Sequence, residues 1–142
     1  MDLQNIFLKP NSSISTEVCV AGDEVVHHEG EICFVVMGGE LAAVGFGLDL
    51  TKREVQSALR EKGLPWERSK AFDGAAVFSD FVCMDGGLED LRLELWINDH
   101  LVQHGGFELM MNKPADILAE VGTFMSLEDG DVILSGREAL SG

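Results

Sequence analysis

Residues 24–37 (EVVHHEGEICFVVM) are dense in β-branched and aromatic side chains and stop at the pair Gly38-Gly39. A run of that make-up closed by two glycines predicts a strand entering a tight turn, and residues 41–50 (LAAVGFGLDL) predict the second strand that follows. Residues two apart on a strand share a face, so His27, Glu29, Glu31, Cys33 and Val35 project together. Beyond position 31 both faces are apolar, which predicts a largely buried strand. Gly45 and Gly47 lie on one face of the second strand, where a ligand or another backbone can approach closely.

The rest of the chain alternates turns with short elements. Thr51 and Glu54 have capping-box spacing, Val55, Ala58 and Leu59 make an apolar stripe, and Gly63 stands where a helix C′ glycine belongs. Residues 75–83 predict a strand. Residues 91–97 predict another, with Leu91, Leu93, Leu95 and Ile97 on one face, turned by Asn98-Asp99 into a return strand through Leu101 to His104. Pro114 suits the first turn of a second helix with Ile117, Leu118, Val121 and Phe124 facing inward. Residues 128–131 form a turn before a final strand at 132–134. The 142 residues are the length of one ordinary domain, so a single domain over 1–142 is expected, with a β-rich α+β fold.

Composition narrows the partners. With 25 acidic and 10 basic residues the formal charge is -15, a surface that repels phosphate backbones and anionic lipid, so nucleic acid and membrane are poor partners. Cys19, Cys33 and Cys83 are odd in number and lack a CxxC pair, which argues against a disulfide framework or a zinc site. The first ten residues carry an acid and no signal-peptide core, and no apolar run approaches the length that spans a bilayer. A cytoplasmic protein is expected.

The chemistry centres on acids placed in an apolar strand. Glu29 and Glu31, side by side and poorly solvated, repel unless one protonates or a cation neutralises them. Asp49, at the end of the next strand, supplies a third carboxylate. Three oxygen ligands with the other positions left to water and substrate suit Mg²⁺, with Mn²⁺ a close rival. The bland alternative is an edge strand whose acids face water. His27 shares the acidic face as a ligand, a base or a hydrogen-bonded neighbour, whereas His100 and His104 belong to a solvated hairpin. Lys70 is either a surface lysine or one that enters the anionic pocket to bind a substrate carboxylate or enolate. Arg53 and Gln56 lie on the first helix close to Asp49.

Read together, FLKP (Phe7 to Pro10), HHEGE (His27 to Glu31), GFGLDLTKREVQ (Gly45 to Gln56), KGLPWERSKAFD (Lys62 to Asp73), LRLELWIND (Leu91 to Asp99) and FMSLEDGDVILSG (Phe124 to Gly136) resemble the fumarylacetoacetate hydrolase family in content and order. The resemblance is greatest to its acylpyruvase and hydroxyheptadienedioate isomerase branch, associated with aromatic catabolism. It implies a mixed β-roll with short helices, usually a homodimer, and a divalent metal, Mg²⁺ or Mn²⁺, on Glu29, Glu31 and Asp49. It also implies that Lys70 and Gln56 serve catalysis and that Lys9 and Lys70 serve substrate binding.

The implied substrates are small 2-oxo or 1,3-dicarbonyl acids such as acylpyruvates, oxaloacetate or dienedioates, which the family hydrolyses, decarboxylates or isomerises. Relative to the family, this chain lacks an R-N-Y-x-x-H segment and is shorter between Glu31 and Asp49. It reads Gly136-Arg137-Glu138 where G-T-P is expected, which leaves Arg137 as a stand-in for the threonine that contacts substrate. A trimmed or incomplete member is therefore expected. The competing expectation is a catalytically silent remnant that keeps the fold as a binding or dimerisation module. A structural Ca²⁺ domain is a third, without an EF-hand loop to support it.

Overall fold

The computed structural model describes residues 4–19, 24–136 and 140–141. The chain gathers into two compact units, one of residues 1–29 with 48–78 and the other of residues 30–47 with 79–142. The strands are β1 (Ile14–Ser15), β2 (His27–Met37), β3 (Glu40–Thr51), β4 (Ala76–Phe78), β5 (Val82–Cys83), β6 (Arg92–Ile97), β7 (His100–Gly106), β8 (Val132–Leu134) and β9 (Leu140–Ser141). The helices are α1 (Arg53–Glu61), α2 (Glu67–Lys70) and α3 (Pro114–Val121). A six-stranded sheet runs β1-β4-β3-β2-β8 with β5 on β3, and a three-stranded sheet runs β6-β7-β9. This is the β-rich α+β class expected.

β2 and β3 are joined through Gly38 and Gly39, whose φ angles of 62° and 79° are left-handed values that glycine adopts without strain. β2 pairs antiparallel with β8, Phe34 opposite Ile133, and has β3 on its other side. It is therefore flanked on both sides at residues 33–35, and the solvent-facing reading does not hold for Glu31, which is buried, while Glu29 is half-buried. That position explains why residues 30–34 are buried on both faces.

In the first unit β1 runs parallel to β4, and Leu50 N–H reaches Ala75 O at 2.9 Å. α1 ends in a Schellman motif: Gly63 N–H donates to Arg60 O and Leu64 N–H to Leu59 O, with Gly63 at φ 63°. Its start differs from the capping-box expectation. Thr51 is the last residue of β3, and the N-cap, Lys52, makes no side-chain capping bond. The Thr51 hydroxyl instead meets the buried Lys70 ammonium at 2.8 Å. An exposed helix N–H can turn to water, whereas a buried ammonium needs a protein acceptor.

In the second unit Ile32, Phe34, Leu93 and Met110 form the core, with Val44, Phe46, Leu91 and Phe107 packed around them. The β6–β7 turn is Asn98-Asp99 (φ 48° and 64°). Leu95 pairs with Gln103 and Trp96 with Leu101, so Val102 is an extra residue, a bulge that sharpens local twist. Ile97, expected on the inner face, is 40% exposed at this tip.

The strand expected at 75–83 is broken between β4 and β5. Ser79 exchanges bonds with Phe46 there, its Oγ accepting the Phe46 N–H and its N–H donating to Phe46 O. Phe81 then lies so close to Gly45 that a Cβ would come within 2.7 Å of its ring, a close approach made by a side chain where a ligand or another backbone was expected. Ile117 and Val121 of α3 are buried as expected, but Phe124 lies beyond the helix end and is 61% exposed.

Candidate functional site

Asp49, near the end of β3 and buried, is held by two lysines from distant parts of the sequence. Lys70 of α2, also buried, donates to Asp49 Oδ2 at 2.7 Å and to Thr51 Oγ1 at 2.8 Å. An ammonium has three N–H donors, so one of Lys70 remains uncommitted among the described residues. The same ammonium stands 5.7 Å from the Phe7 ring centroid, and Phe7 stacks on Trp66.

Lys9 Nζ approaches the other oxygen, Asp49 Oδ1, at 2.7 Å. Its donors serve main-chain carbonyls: Lys70 O at 2.5 Å, Ala75 O at 3.0 Å and Leu50 O at 3.4 Å. Oδ1 thus forms an ion pair with Lys9, as Oδ2 does with Lys70.

Glu31 of β2 is buried at 2% exposure, and its Oε2 accepts the Gly136 N–H at 3.1 Å. Glu29, two residues earlier on the same strand, is half-buried. Each of Glu29, Glu31 and Asp49 offers a carboxylate oxygen, and these oxygens lie within 4.8 Å of one another. Opposite ligands of a Mg²⁺-like ion stand about 4.2 Å apart at bonds of about 2.1 Å, so small side-chain rotations bring this set within range. The residues fit a hard divalent cation: an all-oxygen donor set in which two of the three acids, Glu31 and Asp49, are buried.

Other sequence candidates stand apart. Gln56 is half-buried on α1, and no described hydrogen bond joins its amide to the three acids. Arg53, His27, His28, His100 and His104 are exposed. Arg137 lies outside the described residues. Two contacts with the site residues escaped sequence reasoning, the Thr51 hydroxyl on Lys70 and the Gly136 amide on Glu31. Gly136, with φ 90°, left only a bare glycine as a signal. Among the described residues no helix is long and apolar enough to cross a membrane.

Comparison with known proteins gives a consistent picture. The family model for the fumarylacetoacetate (FAA) hydrolase C-terminal region matches residues 1–142. The mitochondrial oxaloacetate tautomerase of Saccharomyces cerevisiae is 35% identical over 80% of this chain and 52% of its own length. The Escherichia coli oxaloacetate tautomerase is 31% identical over 92% of this chain and 68% of its own. The chain thus spans between about half and two thirds of these curated relatives. Among solved structures, a fumarylacetoacetate hydrolase family protein from Yersinia pestis superposes with a TM-score of 0.86 at 29% identity, covering 95% of this chain and 72% of that one.

Proposed function

Because the chain belongs to the fumarylacetoacetate hydrolase family, we propose that it is a divalent-metal-dependent enzyme acting on a small 2-oxo or 1,3-dicarbonyl acid. Glu29, Glu31 and Asp49 would hold the ion, Mg²⁺ or Mn²⁺. The observation that carries this reading is the convergence of their three oxygens within 4.8 Å, with Glu31 and Asp49 buried. The relatives named oxaloacetate tautomerases make keto–enol interconversion of oxaloacetate the first reaction to test, ahead of acylpyruvate hydrolysis or decarboxylation.

When bound, the cation would supply positive charge against which negative charge developing on the oxo-acid oxygens is stabilised. The protein's own contribution follows from its hydrogen bonds. Lys70 is held on Asp49 and Thr51 with one N–H to offer, a preorganised donor for a substrate oxygen that gains charge. Burial of Asp49 and Lys70 limits competition from water for these contacts. Phe7, 43% exposed beside the Lys70 ammonium, gives the site an apolar wall.

Thermal melting with Mg²⁺, oxalate, or both tests the reading. Oxalate mimics a planar enolate, so the two together are expected to raise Tm by more than the sum of their separate effects. At 100 times the dissociation constant the gain is about 2.7 kcal/mol. Purely additive shifts, with no turnover of oxaloacetate by the Mg²⁺-treated protein, would leave the silent binding module as the better account.

The same proposal includes self-association. Trp96 and Leu101 are 55% and 44% exposed on the β6–β7 hairpin, an apolar surface that a second copy could cover. Sedimentation equilibrium is expected to give twice the 15.4 kDa chain mass, and a monomer at every concentration removes this part.

A further inference from the structure

Lys9 and Lys70 flank the same carboxylate but differ in what they have left to give. Lys70 has one donor free of described partners, whereas the three N–H groups of Lys9 face four oxygens at 3.4 Å or less, three main-chain carbonyls and Asp49 Oδ1. Those carbonyls belong to Leu50 beside Asp49, to Lys70 itself, and to Ala75 just before β4. The Lys9 side chain is only 10% exposed.

On this basis we infer that Lys9 is a positioning residue and not a substrate ligand, a statement that rests on the functional reading above. Its ammonium cross-links three backbone segments and fixes the main chain of Lys70, so that the Lys70 ammonium stays on Asp49 and Thr51. Its charge at 2.7 Å also steadies the Asp49 carboxylate. The family resemblance alone grouped Lys9 with the substrate contacts. The hydrogen bonds separate the two lysines.

Two measurements decide the point. Lys9→Met keeps most of the side-chain length and removes the donors. Its kcat for oxaloacetate is expected to fall about 10- to 100-fold, the range for residues that orient a site ligand, with KM within about twofold of the native value. A large rise in KM at unchanged kcat would mean direct substrate contact and overturns the inference. A lower Tm with kcat and KM both unchanged would mean a purely structural role and overturns it equally.

Should the variant not fold, or should the native protein show no turnover, reductive methylation of the native protein followed by mass spectrometry still tests the carbonyl cage. Lys9 is expected to react at least tenfold more slowly than the exposed Lys62, with or without Mg²⁺ and oxalate. Labelling at the rate of Lys62, or labelling suppressed only when Mg²⁺ and oxalate are both present, contradicts it. Absence of turnover and of Mg²⁺–oxalate synergy in the native protein would count against the enzymatic reading and leave the labelling result on Lys9 standing.

Discussion

Asp49→Asn is expected to destabilise the metal-free protein by about 3 kcal/mol, near the cost of removing one partner from a buried ion pair. The change replaces a single oxygen by an amide nitrogen, so packing hardly alters. Its electrostatic effect is large because Asp49 forms ion pairs with two lysines shielded from water, Lys70 at Oδ2 and Lys9 at Oδ1, each at 2.7 Å. Asparagine leaves the Lys70 ammonium with a neutral acceptor and turns an N–H towards one of the two cations. Urea unfolding in the presence of a chelator, followed by tryptophan fluorescence, measures the loss. Native-like stability would mean that the two lysines do not depend on this carboxylate, and the electrostatic account of the site would be wrong.

Glu31→Gln, chemically the same change two strand positions past Glu29, is expected to cost less stability. Glu31 stands in the acid cluster and accepts the Gly136 N–H, and a glutamine oxygen can still accept from that amide. Removing its charge eases repulsion from the neighbouring acids, so Tm of the metal-free variant is expected to fall less than that of Asp49→Asn. Both substitutions are expected to abolish the joint stabilisation by Mg²⁺ and oxalate. Glu31→Gln is also expected to reduce oxaloacetate turnover more than about 100-fold, beyond the range for changes to the outer partners of a metal ligand. Turnover within tenfold of native would remove Glu31 from the proposed ion site. The contrast between the two variants is more informative than either alone, because general damage to the fold lowers stability in both.

The strand periodicity of the sequence placed Glu29 and Glu31 on one face, and the Gly38-Gly39 pair set the turn that leads into β3 and Asp49. Those features are local, governed by backbone sterics and the two-residue repeat, and so are readable from the sequence. Gly63 and Asn98-Asp99 were legible for the same reason, since each occupies a left-handed backbone position.

Features decided by tertiary competition were not legible. Thr51 matched a capping box by spacing, yet its hydroxyl bonds to an ammonium from α2, nineteen residues on. The break at Ser79 follows from bonds to Phe46 on another strand. Gly136 contributes a main-chain N–H, a donor that nearly every residue type carries and that no motif singles out. Phe124 was assigned inward by helical spacing, but α3 ends at Val121, so the periodicity no longer governs its direction.

The glycine pair between β2 and β3 has a reach well beyond its own position. Side chains on paired strands change faces with a slip of one residue, so a shift at this tip would turn acids inward or outward all along the ribbon. Two residues without side chains therefore act as the remote clasp of a polar cluster they never touch. Growth or loss of the ribbon is compatible with that cluster only in matched steps, one residue on each strand.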